Sequence, residues 1–304
     1  MYRLPAPPRG AVSAPRGASG PALIAVAHGS RDPRSAATMA AVVAEAAAAR
    51  PDVPVRLAFL DLSVPSIDEV VDELAARGHT DVIVVPLLLG NAFHARVDLP
   101  ALLADATRRH PHLRLTQAAV LGPDPLLISA LADRVATACG HTPPIASASR
   151  TVRSTGSANT PATTPMAAPT GLAPLSVVSP AGESMGDPLL GIAVAAVGSR
   201  DAAANRRTAV VARRLATLTG NPTEICFATV EPGIERALHQ LRTRGAERIV
   251  VAPWFLAPGL LTDRLVAAAP SVVHAEVIGA HSGLVDVIWA RYDNSLATDL
   301  ELSA

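Results

Sequence analysis

Apolar residues along this chain fall into short unbroken runs separated by helical periodicity. Residues 22 to 27 read Ala-Leu-Ile-Ala-Val-Ala and run directly into His28-Gly29-Ser30, the pattern of a strand buried on both faces of a parallel sheet. An alanine-rich helical stretch, 34 to 50, follows and stops before Pro51. The pattern then predicts strand 55 to 60, helix 65 to 77 with Pro65 as its first residue, and strand 81 to 86. Helix 98 to 109, strand 113 to 120 and helix 124 to 138 complete the first half. In the second half, strands at 190 to 197, 223 to 229, 248 to 253 and 272 to 278 alternate with helices, the last at 282 to 293. Strands alternating with helices of this length imply right-handed crossovers and parallel sheets covered on both faces. The expected fold class is therefore α/β, with two tandem lobes, each a parallel four-stranded sheet flanked by helices.

The two halves are copies. Ala27-His28-Gly29-Ser30-Arg31-Asp32 returns as Val197-Gly198-Ser199-Arg200-Asp201 behind Ala196, with valine in place of histidine. Phe59-Leu60-Asp61 is echoed by Phe227-Ala228-Thr229, and Val82-Ile83-Val84-Val85-Pro86 by Ile249-Val250-Val251-Ala252-Pro253. Val120-Leu121-Gly122 reappears as Val277-Ile278-Gly279. Asn91-Ala92-Phe93-His94 becomes Pro258-Gly259-Leu260-Leu261, so a second histidine is missing from the same copy. A repeat that keeps its order over half the chain marks a duplicated fold, and the copy that retains its histidines is expected to be the working one.

Between the copies, residues 140 to 188 are crowded with Ser, Thr, Pro, Ala and Gly and read as a flexible low-complexity linker. Within it, Gly182-Glu183-Ser184-Met185-Gly186 satisfies the pattern of a hydrolase nucleophile elbow, but that motif works only on a tight strand-to-helix turn, so the match is read as chance. Residues 1 to 20 read as a disordered arm, with arginines among Pro, Ala and Gly and no apolar core of signal-peptide length. The expected organisation is arm 1–20, active domain 21–139, linker 140–188, degenerate domain 189–295 and loose tail 296–304.

A chain of 304 residues agrees with two domains, each able to bury its own core. Formal net charge is zero, which argues against nucleic acid or an acidic membrane surface as partner, and 3% aromatic content removes the stacking platforms of single-strand binders. No run of apolar residues is long enough to span a bilayer. Cys139 and Cys226 fall in different halves with no CxxC spacing, which argues against a disulfide framework or sulfur-ligated zinc and fits a reducing cytoplasm. All 26 basic residues are arginine. Without lysine there is no Walker-type phosphate lysine, no Schiff base for pyridoxal phosphate and no lysine partner for a phosphoacceptor aspartate. The missing lysine and scarce aromatics also disfavour a flavodoxin-like flavin or signalling module, and no nucleotide or flavin cofactor is expected.

Ligands of open parallel sheets bind beyond the carboxyl ends of the strands. His28 follows the first strand, Asp61 the second, and His94 lies in the loop beyond the third, so three segments deliver two imidazoles and a carboxylate to one rim. Taken singly, each is a turn or capping residue first. Two histidines on one rim, both lost from the duplicate, point to chemistry. The set suits divalent iron, cobalt, nickel or zinc with open coordination positions, whereas structural zinc takes four closed ligands. Other histidines (His79, His110, His112, His141, His239, His274 and His281) read as structural, although His281 follows the last strand of the second copy, where it would face the cleft between the lobes.

The stretch from Ala27-His28-Gly29-Ser30-Arg31, through Phe59-Leu60-Asp61 and Pro65, to Pro86-Leu87-Leu88-Leu89-Gly90 and His94 resembles the sirohydrochlorin chelatase family of class II chelatases, in its long two-lobed form with a degenerate second half. The resemblance implies insertion of a divalent metal into sirohydrochlorin, iron for sirohaem or cobalt for cobalamin, with Fe2+ or Co2+ as substrate. It implies His28 and His94 as catalytic and metal-binding residues, and Asp61 as a third ligand at a position often held by glutamate. A substrate with many carboxylates implies cations and N–H donors around the site: Arg31, Arg34 and Arg96, with Ser30 and Asn91, while Leu87-Leu88-Leu89 would wall the macrocycle. Neighbouring enzymes of tetrapyrrole synthesis are further expected partners. The alternative is a carrier that holds metal or tetrapyrrole without turnover.

Overall fold

The computed structural model describes residues 20–90, 97–140 and 189–302. The arm, the linker with its Gly-x-Ser-x-Gly string, and Asn91, His94 and Arg96 lie outside the described residues.

The first lobe runs β1 (Ala22–Ala27), α1 (Pro33–Ala49), β2 (Val55–Phe59), α2 (Ile67–Ala76), β3 (Asp81–Pro86), α3 (Leu99–Arg109), β4 (Arg114–Gln117) and α4 (Pro125–Ala138). The second runs β5 (Leu190–Ala196), α5 (Ala202–Thr208), α6 (Val210–Thr219), β6 (Thr223–Phe227), α7 (Ile234–Thr243), β7 (Arg248–Pro253), α8 (Leu260–Ala268), β8 (Val273–His274) and α9 (Ser282–Leu302). Both sheets are parallel, in the orders β2-β1-β3-β4 and β6-β5-β7-β8. The apolar run that opens each copy is therefore an interior strand, and it carries the histidine turn or its valine counterpart.

Side-chain alternation along those strands sorts the core into layers. Leu23, Ala25 and Ala27 of β1, with Ile192, Val194 and Ala196 of β5, belong to one buried cluster that also takes in α1, α4, α6 and α9. Ala22, Ile24 and Val26 face the opposite way, onto α2 and α3, and Ala193 and Ala195 face α7 and α8. Each lobe keeps a private core on its outer face. The inner faces share one, contrary to the expectation of two self-sufficient cores, because the helices between the sheets are apolar on more than one side.

α9 ties this layer together. Trp289 is 5% exposed, donates from Nε1 to Ala46 O at 3.2 Å, lies under the Arg50 guanidinium at 4.4 Å and meets Tyr292 edge-on at 5.3 Å. The Tyr292 hydroxyl donates to Pro21 O at 2.6 Å, and burial pushes its pKa up to about 12. Arg291 donates to Val120 O and Leu121 O, at 3.0 and 2.8 Å. A second-lobe helix thus anchors the start of β1, the end of α1 and the loop that follows β4.

Three details depart from the pattern. Pro65 does not open α2: it follows a cis peptide bond from Val64, and Ser66 is the cap, accepting from Glu69 N at 3.3 Å while Glu69 accepts from Ser66 N at 2.7 Å. This reciprocal capping box satisfies two orphan N–H groups at once, which a proline at the first position does not. β4 and β8, each at one edge of its sheet, stop short at four and two residues, whereas β2 and β6 at the opposite edges keep five. α9 runs well past residue 293 into the span expected to be a loose tail, where Leu296 packs against the shared core.

The shared layer makes the two lobes unfold as one. Trp289→Ala should remove about 3–5 kcal/mol of stability and lower the urea midpoint of a single transition seen alike by probes in both lobes. Two separated transitions in the wild type would contradict the shared core. His281 sits between the lobes, its Nδ1 accepting from Gly283 N at 3.0 Å and its Nε2 facing Asp133 at 3.3 Å. Burial, with the adjacent Arg134 adding to it, holds its pKa below the ordinary histidine range against the opposing carboxylates of Asp133 and Asp286. The unfolded chain therefore takes up this proton at higher pH than the folded one, so stability present near neutrality is lost on acidification. Replacing it by glutamine should flatten the fall of the urea midpoint between about pH 7 and about pH 5.

Candidate functional site

β1 ends at Ala27 and delivers an exposed His28 to the carboxyl end of the sheet. The chain then turns through Gly29 at φ +93°, a region open to glycine. Space demands glycine as well, because a Cβ here would stand 1.7 Å from Asp61 O. The neighbouring strand's loop is pressed against this turn: Leu60 N donates to Ala27 O at 2.9 Å and Asp61 N to His28 O at 3.1 Å. Ser63 completes the clasp, its Oγ accepting from Ser30 N at 3.1 Å and donating to Ser30 O at 3.0 Å. His28 and Asp61 are thus held side by side by backbone contacts that do not involve their functional atoms.

Asp61 is exposed, and its Oδ1 accepts from Leu62 N at 2.7 Å, which commits one carboxylate oxygen to its own loop. The Ser30 hydroxyl accepts from Asp32 N at 3.1 Å. The matching Ser199 hydroxyl accepts from Asp201 N at the same distance in the copy whose turn carries valine instead of histidine, so this bond belongs to the turn rather than to any ligand. Arg31 is exposed, as is its counterpart Arg200. Asp32 caps α1 by accepting from Arg34 N at 2.9 Å, and the Arg34 hydrogen bond holds its carboxyl below the usual range. Arg34 also reaches across to Asp263 of α8 at 2.6 Å, and pairing with these two carboxylates raises its own pKa. It stands where the second copy has Ala203, so this cation is peculiar to the histidine lobe. Of the Leu87-Leu88-Leu89 run, Leu87 is buried at 3% exposure and turned into the core, while Leu88 and Leu89 are half-buried.

The second rim repeats the two bonds that press the loops together. Ala228 N donates to Ala196 O and Thr229 N to Val197 O, at 2.8 and 3.1 Å, and Gly198 takes φ +89°. Yet Val197 replaces His28, and Thr229, which replaces Asp61, spends its hydroxyl on Val197 O at 2.8 Å. This rim keeps the shape of a site and lacks its ligating atoms.

Residues 91 to 96 connect the carboxyl end of β3 to α3 by chain order. Among the described residues no three His, Cys, Asp or Glu side chains converge as a metal-binding group; His28 and Asp61 are the two of the expected three that fall within them. A depression between α4 and α6, lined by Cys139, Leu190 and Asn221, lies at the opposite end of the strands, where neither His28 nor Asp61 comes. Sequence reasoning missed Ser63 and Asp263. Ser63 was legible only as a polar residue in a short loop, and Asp263 carried no signal, since its partner is 229 positions away.

Comparison with known proteins matches the CbiX family over residues 22–138 and 191–295. The sirohydrochlorin ferrochelatase of Bacillus subtilis (strain 168) is 34% identical over 115 residues, 38% of this chain and 44% of that protein. A sirohydrochlorin cobaltochelatase of Methanothermobacter thermautotrophicus is 36% identical over 81 residues, 27% of this chain and 56% of that one. These matches span about half of each curated relative. Among solved structures, the sirohydrochlorin chelatase SirB from Bacillus subtilis subspecies spizizenii in complex with cobalt aligns with a TM-score of 0.62 at 21% identity, over 90% of this chain and 94% of that one. The CbiX described as the terminal enzyme for biosynthesis of sirohaem in denitrifying bacteria aligns at 0.56 and 21%, over 88% and 98%. At this identity the structures speak for the fold. No helix among the described residues is long and apolar enough to cross a membrane. With the family's model matched through both lobes, the chain belongs to the CbiX family.

Proposed function

We propose that this protein is a metal chelatase that inserts a divalent ion, Fe2+ or Co2+, into sirohydrochlorin. The observation that carries the reading is the asymmetry of two otherwise matching rims: the same glycine turn presents His28 in one lobe and Val197 in the other. A histidine kept for folding would be needed in both. Relatives named for ferrous and for cobaltous insertion support the reaction class, and a set of two histidines and one carboxylate accommodates either ion.

In this reading His28 and His94 receive the hydrated ion, with Asp61 as third ligand through the oxygen that Leu62 does not engage. Neutral imidazole binds such ions reversibly and takes up protons near neutral pH. Metallation exchanges one divalent ion for the two pyrrole N–H protons of the macrocycle, so two protons must leave for every ion that enters. Imidazoles beside the ring serve as their first acceptors and pass them to water. Arg31, Arg34 and Arg96, with Ser30 and Asn91, supply the donors that face the substrate's carboxylates. Arg34 does so in exchange for one of the carboxylates it now holds.

Anaerobic absorbance assays with sirohydrochlorin test this. His28→Ala and His94→Ala should each slow metallation by about 100-fold or more with unchanged circular dichroism. Near-normal rates in both variants would refute the assignment. Many turnovers per protein mark an enzyme, whereas uptake that stops at one equivalent marks a carrier, and side-by-side rates with Fe2+ and Co2+ give the metal preference.

Glycine geometry supplies a second test. Gly29→Ala must push the Asp61 carbonyl away from the histidine turn and should cost at least about tenfold in turnover. Gly198→Ala, crowded at 2.8 Å by Val230 in the other lobe, should lower the melting temperature while turnover at temperatures below it stays intact.

A further inference from the structure

The two rims differ in length by one residue. Phe59 N donates to Pro65 O and Phe227 N to Pro232 O, both at 2.9 Å, but residues 60–64 lie between the first pair and only 228–231 between the second. The first lobe absorbs its extra residue in a three-residue turn, Ser63 N donating to Asp61 O at 2.8 Å around Leu62 at φ +59°. Leu62 is the one non-glycine residue with positive φ among the described residues. A leucine rests there only where its surroundings over-determine it, which here means the Asp61 carboxylate on its N–H and the Ser63 hydroxyl clasping Ser30.

A strand-end turn of this kind can be held without a finger. In the second lobe Asn205 serves both backbone groups of Ser199, at 2.8 Å each, and no such finger is present. What the extra residue accomplishes is display: Leu62 is 50% exposed and Val64 79%, on either side of Ser63 and directly after Asp61. Exposed aliphatic side chains on a strained backbone contribute nothing to folding.

We propose that Leu62 and Val64 are positioning residues that lie against the apolar face of the tetrapyrrole and hold the macrocycle at the rim beside His28. The proposal rests on the chelatase reading above. Two side chains offer far less surface than the roughly 800 Å² per partner of a stable protein interface, but they match the few apolar contacts that orient one flat ring. The polar base of the same finger, Asp61, faces the ion while its apolar tip faces the ring.

The test is titration of the wild type and variants with metal-free sirohydrochlorin, followed by absorbance, alongside steady-state metallation. Leu62→Asn keeps a residue that tolerates positive φ and removes the aliphatic surface; Val64→Ser does the same at a fully extruded side chain. The pair should weaken tetrapyrrole binding and raise its KM by about tenfold, leaving kcat and the KM for the metal unchanged. Val64→Ser alone, with its unfolding midpoint intact, should show about threefold, and Leu62→Met with Val64→Ile should restore wild-type binding. Binding by the pair within about twofold of a wild type that does bind would overturn the finger and leave the chelatase reading standing. A wild type that neither binds nor metallates sirohydrochlorin would overturn both.

Discussion

The contact between Gly29 and the carbonyl of Asp61 governs the architecture of the rim. Two strand-end loops approach until no side chain fits between them, and every neighbouring feature follows from that closeness. Asp61 N reaches His28 O, and Ser63 reaches both backbone groups of Ser30. Backbone bonds fix where the imidazole and the carboxylate begin, and one Asp61 oxygen is spent on its own loop, at Leu62 N. A site that exchanges an ion benefits from this arrangement, because its ligands must let go of the ion without the scaffold loosening.

Duplication divided the labour between the lobes. The second rim preserves the turn, the N-cap and the backbone ladder of the first, while losing every candidate ligand. Its gain lies on the other side of the sheet, where β5, α6 and α9 provide half of a common apolar layer. The second lobe is thus part of the first lobe's interior as much as a lobe of its own. The Arg34 to Asp263 pair, across the rims, is exposed on both sides and adds little to stability; its importance lies in setting the charge at the mouth.

Much of this was legible in the chain. Buried parallel strands announce themselves as apolar runs, and β1, β3 and β7 fell where those runs lie. The vanished histidines singled out the rim to which the proposed chemistry is assigned. Less legible were features decided by distant partners. Edge strands β4 and β8 ended before their apolar runs did, while β2 and β6 at the opposite edges kept five residues. Pro65 lost the helix start to the Ser66–Glu69 box, whose spacing was present in the sequence and outweighs a proline preference. The shared core was hidden because periodicity reports which face of a helix is apolar and is silent about what covers it. Leu62 was hidden too, although counting residues between matching phenylalanines and prolines in the two copies exposes the extra position.

α9 imposes an order on synthesis. The lobe that bears His28 leaves the ribosome first, yet Trp289 and Tyr292 are needed to cover Ala46 and to grip the chain at Pro21. A nascent chain that ends before those residues presents the inner face of its first sheet, with the helices that line it, uncovered to water and to other chains. Completion of the shared layer therefore waits until translation has passed the second copy, and a product truncated before α9 exposes that layer.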